Sequence, residues 1–143
     1  MTAALPGQEI APFTVEITRE MIVAYAEASG DGNPIHLDDD FARSVGLPGV
    51  IAHGMLQMGV LSRLVSGWAG DHRRLRRLGC RFAAMVRPGD RLTCGGRVVS
   101  VNAGIAVLDL WAENQTGTRV LSKGVAHVEI DSGEIMTVPP EIY

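Results

Sequence analysis

The sequence predicts an α+β domain in which one curved antiparallel sheet covers a buried helix. Three observations predict it. Apolar residues occupy nearly every face of the segment from about Ala52 to Trp68, the mark of a helix enclosed by other elements. From about Leu75 onward the pattern changes to strand formers separated by Gly-, Asn- and Pro-containing turns. The chain has 143 residues, 46% hydrophobic and 20% charged, the size and balance of one ordinary domain spanning residues 1–143.

The elements follow in chain order. Val15 and Ile17 can supply a short first strand. Thr18, ahead of the apolar run Met21–Ala26, predicts a capped helix that Gly30 stops. The cluster Gly30-Asp31-Gly32-Asn33-Pro34 dictates a loop. Asp38-Asp39-Asp40 before Phe41-Ala42-Arg43 predicts a short helix with acid in its first turn, ended by Gly46 and Pro48-Gly49. The buried helix comes next, with Arg63 its odd charge, expected to snorkel outward. Four strands are expected at about Leu78–Val86, Leu92–Val101, Ile105–Asn114 and Val120–Ile130, joined as a meander. A single sheet of this kind leaves its edges open, so a homodimer is expected, with a heterodimer as the alternative.

Composition removes several function classes. Thirteen basic against sixteen acidic residues give a net charge of −3, which disfavours general nucleic-acid binding. No apolar run approaches the roughly 20 residues of a membrane span. The N-terminus has no basic stretch followed by an apolar one, so no signal peptide is expected. Two cysteines make no disulfide framework. Cys80 and Cys94, on adjacent predicted strands, read as core thiols in a cytoplasmic protein. Gly-x-Gly-x-x-Gly and Walker loops are absent from the sequence, so nucleotide redox and phosphoryl-transfer chemistry have no support.

The segment Ser29-Gly30-Asp31-Gly32-Asn33-Pro34-Ile35-His36 is the most informative. It sets a carboxylate and an imidazole five positions apart in a glycine-rich loop. Turned toward one cavity, Asp31 can act as a base and His36 as a proton donor or acceptor. The alternative is an Asx-turn whose Asp31 and Asn33 satisfy backbone groups. The second segment, Ile51-Ala52-His53-Gly54-Met55, opens the buried helix. The first N–H groups of a helix lack internal partners and lie at the positive end of its dipole. Gly54 has no side chain to keep a ligand from its N–H, so it can hold a carbonyl oxygen that gains negative charge; tight packing of the helix entrance is the alternative. His53 reads as a core histidine at the helix end, with no proton transfer assigned to it. Ser62, about two turns beyond Gly54, can reach the Asp31/His36 loop or a substrate, or bond back to a carbonyl one turn earlier. It is no nucleophile, because no Gly-x-Ser-x-Gly elbow surrounds it. The spacing of Asp31, His36, Asp38 and His53 fits no familiar ligand motif, so no metal is expected. The basic stretch His72-Arg73-Arg74-Leu75-Arg76-Arg77, with Arg81, can attract coenzyme A phosphates or the acidic face of a carrier protein, or be a solvated loop.

The residues Ser29–His36, with Ala42 six positions beyond the histidine, together with Ile51–Met55, resemble the two motifs of the MaoC-like hydratases. That family includes (R)-specific enoyl-CoA hydratases and (3R)-hydroxyacyl-carrier-protein dehydratases, and the resemblance runs over nearly the whole chain. It implies a hot-dog fold, a sheet wrapped around a long central helix, and a dimer. It implies Asp31 and His36 as the catalytic pair, with the Gly54 N–H on the thioester carbonyl. Asn33 would support the loop and Ser62 would line the site. Acyl chain length would depend on the depth of a tunnel beside the central helix, for which Met55, Met58, Val60 and Leu61 are the candidate lining residues on whichever face it runs. The substrate would be an acyl thioester of coenzyme A or acyl carrier protein, with no further cofactor. The implied reaction is hydration of trans-2-enoyl thioesters to (3R)-hydroxyacyl thioesters and the reverse dehydration, with Asp31 activating water and His36 protonating C2. A hot-dog thioesterase and a non-catalytic or partner-dependent acyl-binding subunit are the competing readings.

Overall fold

The computed structural model describes residues 4–131. Five strands and three helices follow in the order β1 (Glu9–Glu16), α1 (Arg19–Ser29), α2 (Asp39–Ser44), α3 (Gly54–Ala69), β2 (Leu75–Phe82), β3 (Arg91–Asn102), β4 (Ile105–Glu113) and β5 (Arg119–Glu129). They form one antiparallel sheet of order β1-β3-β4-β5-β2.

The helix signals act as expected. Thr18 Oγ1 accepts the Met21 N–H at 3.1 Å, and Gly30, at φ 78°, ends α1. Asp38 Oδ1 accepts the Phe41 N–H at 3.1 Å and starts α2. The packing of α3 shows why its sequence is so apolar. Val60, Leu61, Leu64, Val65 and Ala69 are buried against the sheet, which presents alternate residues of β4, Ala106, Leu108, Leu110 and Ala112. The helix is not enclosed all round, however. Met55, Gly59, Arg63 and Gly67, spaced by four along one face, are exposed. Arg63 lays its guanidinium over the Phe13 ring at 4.7 Å, the snorkelling its charge predicts.

One extra residue in β5 contributes to the sheet curvature. Ser122 pairs with Arg81 and Gly79 with Val125, so three steps on β5 oppose two on β2. Lys123 takes φ 49° there. Gly124 follows, where an added Cβ would lie 2.5 Å from the Leu110 carbonyl oxygen. This bulge increases the local twist and bends the strand around α3.

Two expectations are corrected. The four C-terminal strands are not a simple meander: β3, β4 and β5 are, but β2 pairs with β5 at the far edge. Strand β2 ends at Phe82, four residues before the expected Val86. The segment 83–90 then crosses the entrance of α3, where the Ala52 N–H bonds the Val86 carbonyl at 2.8 Å. Cys80 and Cys94 are therefore on strands separated by β4 and β5, not on neighbours. Strand β1 is also longer than Val15 and Ile17 suggested. Pro12 breaks its alternation, and the register shifts between Ile10 and Phe13, an irregularity an edge strand tolerates.

Candidate active site

The loop after α1 folds through its own side chains. The Asp31 N–H bonds Ser29 Oγ at 3.1 Å, and Asp31 Oδ1 accepts the Asn33 N–H at 3.3 Å. Asn33 Oδ1 accepts the Ile35 N–H at 3.2 Å and caps the short 3₁₀ turn Pro34–His36. The Asx-turn alternative and the catalytic reading are thus compatible. Asp31 spends one oxygen on the loop and turns the other, Oδ2, to within 4.0 Å of His36 Nε2. Its side chain is 53% exposed, while His36 is buried.

A carbonyl only accepts hydrogen bonds, so carbonyl partners fix the histidine tautomers. His36 Nδ1 lies 2.7 Å from the Ile51 carbonyl oxygen and carries the proton. Nε2 of His36 therefore faces Asp31 as the nitrogen at which a second proton is taken up or released. His53 Nε2 lies 3.0 Å from the Asp31 carbonyl oxygen and donates to it. The His53 ring, 2% exposed, stacks on His36 at 3.8 Å, and Tyr25 packs against it at 4.7 Å. His53 thus joins the two motifs: its side chain holds the loop while its backbone leads into α3. The sequence showed a histidine beside Gly54 but not this cross-link, because 22 residues separate His53 from Asp31.

The second motif is held by α2. Asp39 Oδ1 accepts the Val50 N–H at 2.9 Å and Asp39 Oδ2 pairs with Arg19 at 3.1 Å. The Val50 N–H does most to hold the Asp39 carboxyl below the usual carboxylate range; desolvation opposes it, and the Arg19 and Arg43 charges add to the lowering. Gly54 is the first residue of α3, and His53 makes no side-chain cap there. A Cβ at Gly54 would come within 3.1 Å of the Phe82 ring. Gly54 opens on a cleft of about 370 Å³ lined also by Ile51, Ala52, Gln57, Phe82, Ala83, Ala84 and Met85. Ile51 and the His53–Gly54 step connect this cleft to Asp31 and His36.

The remaining expected site residues are placed differently. Ser62 Oγ donates to the Gly59 carbonyl at 2.5 Å, the back-bonded alternative, and Ser62 does not line the cleft. Met55 is 57% exposed and also outside the cleft lining. Gln57, buried and in the lining, carries no sequence signal that separates it from the apolar run around it. Donor atoms of Asp31, His36 and His53 lie within 4.8 Å of one another, a proximity that sequence spacing concealed. Carbonyls occupy one nitrogen of each imidazole, leaving His36 Nε2 and His53 Nδ1 for any further partner. In the basic segment Arg73 pairs with Asp71, Arg74 with Asp131 and Arg76 with Glu129. Its charge is thus largely matched locally.

Comparison with known proteins follows the same lines. The chain is 36% identical over 107 residues to fatty acid synthase subunit beta of Saccharomyces cerevisiae, a match covering 73% of this chain and 5% of that protein. It is 32% identical over 114 residues to a probable enoyl-CoA hydratase 2 of Dictyostelium discoideum, covering 78% of this chain and 38% of the relative. The chain therefore spans only a small part of these curated relatives. Among solved structures, an (R)-hydratase from A. caviae involved in PHA biosynthesis superposes with a TM-score of 0.81 at 27% identity, covering 89% of this chain and 97% of that one. That likeness confirms the hot-dog arrangement of sheet and helix. The model of the MaoC-like domain matches residues 2–116, both motifs included, and the chain belongs to that family.

Proposed function

We propose that the chain is a hydro-lyase that adds water to trans-2-enoyl thioesters, giving (3R)-hydroxyacyl thioesters, and catalyses the reverse dehydration. One observation carries the reading: Asp31 Oδ2 and His36 Nε2 face each other across 4.0 Å. That is too long for a direct hydrogen bond and suits one oxygen held by both groups. Water in the hydration direction, or the 3-hydroxyl in dehydration, has the required size and polarity.

The steps balance within this pair. Asp31 takes a proton from the water as its oxygen attacks C3. The electron pair moves through C2 onto the thioester oxygen, which the Gly54 N–H at the α3 N-terminus stabilises. His36, in the imidazolium form with its second proton on Nε2, protonates C2. Proton transfer from Asp31 to His36 restores the starting state. Ile51 and His53 hold the two groups in place throughout. Asn33 acts by bracing the loop, and Met55 and Ser62 would contact substrate only if it extends along the exposed face of α3.

The substrate class draws support from the names of the relatives, a hydratase and fatty acid synthases, and places the reaction in acyl metabolism. Coenzyme A and acyl carrier protein both remain suitable carriers. A homodimer is part of the proposal. Among the described residues strand β2 pairs with β5 alone and its other edge has no partner strand, whereas the opposite edge, β1, carries Pro12 and a register break that obstruct pairing. Two free cysteines, Cys80 and Cys94, fit a reducing cytoplasm, and no helix among the described residues is long and apolar enough to cross a membrane.

The test is loss of enoyl absorbance when the protein meets crotonyl-CoA. Asp31→Asn and His36→Ala should each lower kcat by at least about a hundredfold. Near-normal turnover in either variant contradicts the assignment.

A further inference from the structure

The cleft beside Gly54 contains one polar side chain in an apolar lining. Gln57 is 3% exposed, and its Oε1 is buried without a hydrogen-bond partner. The other lining side chains come from Ile51, Ala52, Phe82, Ala83, Ala84 and Met85. A leucine or methionine would fill the same place without leaving a polar atom unmatched. Buried polar groups are nearly always satisfied, and an exception needs an explanation. At a cleft, that explanation is a partner which arrives with the ligand.

The position of Gln57 limits where that partner lies. It follows Gly54 by three residues, about 4.5 Å along the helix. With a thioester carbonyl on the Gly54 N–H, an extended acyl chain running beside α3 reaches Gln57 at its fourth or fifth carbon. The orphaned Oε1 only accepts hydrogen bonds, so the group that satisfies it there is a hydroxyl, which can donate.

We infer that Gln57 is a specificity-determining residue, selecting acyl thioesters with a hydroxyl substituent near C4 or C5 over plain alkyl chains. The inference rests on the acyl-thioester reading above. Its physical basis is an asymmetry: a site built to hydrogen-bond a substrate group strongly rejects the analogue that lacks it, whereas an apolar pocket discriminates weakly.

Saturated thioesters test it without turnover. Titration calorimetry would compare 4-hydroxypentanoyl-CoA with pentanoyl-CoA, and 5-hydroxyhexanoyl-CoA with hexanoyl-CoA, on wild type and Gln57→Met. Wild type should bind at least one hydroxy compound about tenfold or more tighter than its alkyl counterpart, and Gln57→Met should abolish that preference. The variant should melt no lower than wild type, since it loses no bond made by Oε1 within the chain. Equal binding of both pairs by wild type, or an unchanged preference in Gln57→Met, overturns the inference. Crotonyl-CoA turnover by wild type, measured alongside, separates the two levels. Turnover without discrimination removes only the role of Gln57, whereas neither turnover nor binding of any probe removes the thioester reading as well.

Discussion

The imidazoles of His36 and His53 stack with centroids 3.8 Å apart and planes 25° from parallel, each ring anchored to a different backbone carbonyl. His36 bonds the segment that carries His53, and His53 bonds the loop that carries His36. The two motifs therefore hold each other in register. The orientation of His36 Nε2 toward Asp31 depends on both anchors.

His53→Phe tests this relationship. The phenyl ring preserves a stacking surface but removes the N–H donated to the Asp31 carbonyl. Asp31 is an exposed residue, so water can take up the freed carbonyl, and loss of the bond costs about 0.5–1.5 kcal/mol. The variant should fold, melt lower, and lose tenfold or more in kcat with a smaller change in KM, because the displaced group is Asp31 rather than the cleft. Steady-state kinetics and a thermal melt check this.

At Gly54 the relevant neighbour is Phe82. A methyl group there meets the phenyl ring at 3.1 Å, tighter than ordinary contact, yet Phe82 is half exposed and can shift. Gly54→Ala should fold but lose activity as the ring and new methyl narrow the approach to the N–H. Pairing it with Phe82→Leu should restore part of the loss in a double-mutant cycle. Additive losses would show that contact with Phe82 is not the cause.

The Asp39 contact gives a pH dependence with a definite sign. The Val50 N–H and Arg19 lower the Asp39 pKa in the folded protein. Its contribution is therefore present above the usual carboxylate pKa of about 3.9 and is lost as pH falls through the lowered folded value. Asp39→Ala should melt below wild type at neutral pH, and the gap should close in strong acid. Melts across that range measure the difference.

The near approach of Asp31, His36 and His53 calls for a separate check. The proposed steps use no metal. Exhaustive chelation should leave the hydration rate unchanged, whereas zinc should inhibit by occupying His36 Nε2. A rate that falls on chelation and returns with metal would assign the trio to an ion.

Cys94 offers a probe of folding. Its side chain is fully buried on β3, and burial pushes its thiol up to about 11. Alkylation at mildly alkaline pH should spare Cys94 in the native protein and modify it after denaturation, as mass spectrometry would show.

Much of this architecture was legible because local chemistry sets it. Thr18, Gly30 and Asp38 act on residues within one turn, so α1 and α2 announce their ends. The course of β2 was not legible. The turn signal at Arg87–Asp90 is genuine, with the Asp90 N–H bonding the Arg87 carbonyl at 3.0 Å. It ends a crossover rather than a hairpin, and strand order depends on pairings distant in sequence. Likewise, Asp31, Asn33 and His36 stood out by spacing. The roles of His53 and Gln57 depend on contacts and burial that only the assembled α3 entrance reveals. Ser62 had two equivalent readings on the sequence, and the helix resolves its bond in favour of its own carbonyl.

Product analysis after incubation with a trans-2-enoyl-CoA tests the central claim most directly. The account predicts a (3R)-hydroxyacyl-CoA, formed without free thiol and lost when either Asp31 or His36 is replaced. Free coenzyme A with the fatty acid would identify a thioesterase, and an unchanged enoyl thioester would contradict the hydro-lyase assignment for this chain.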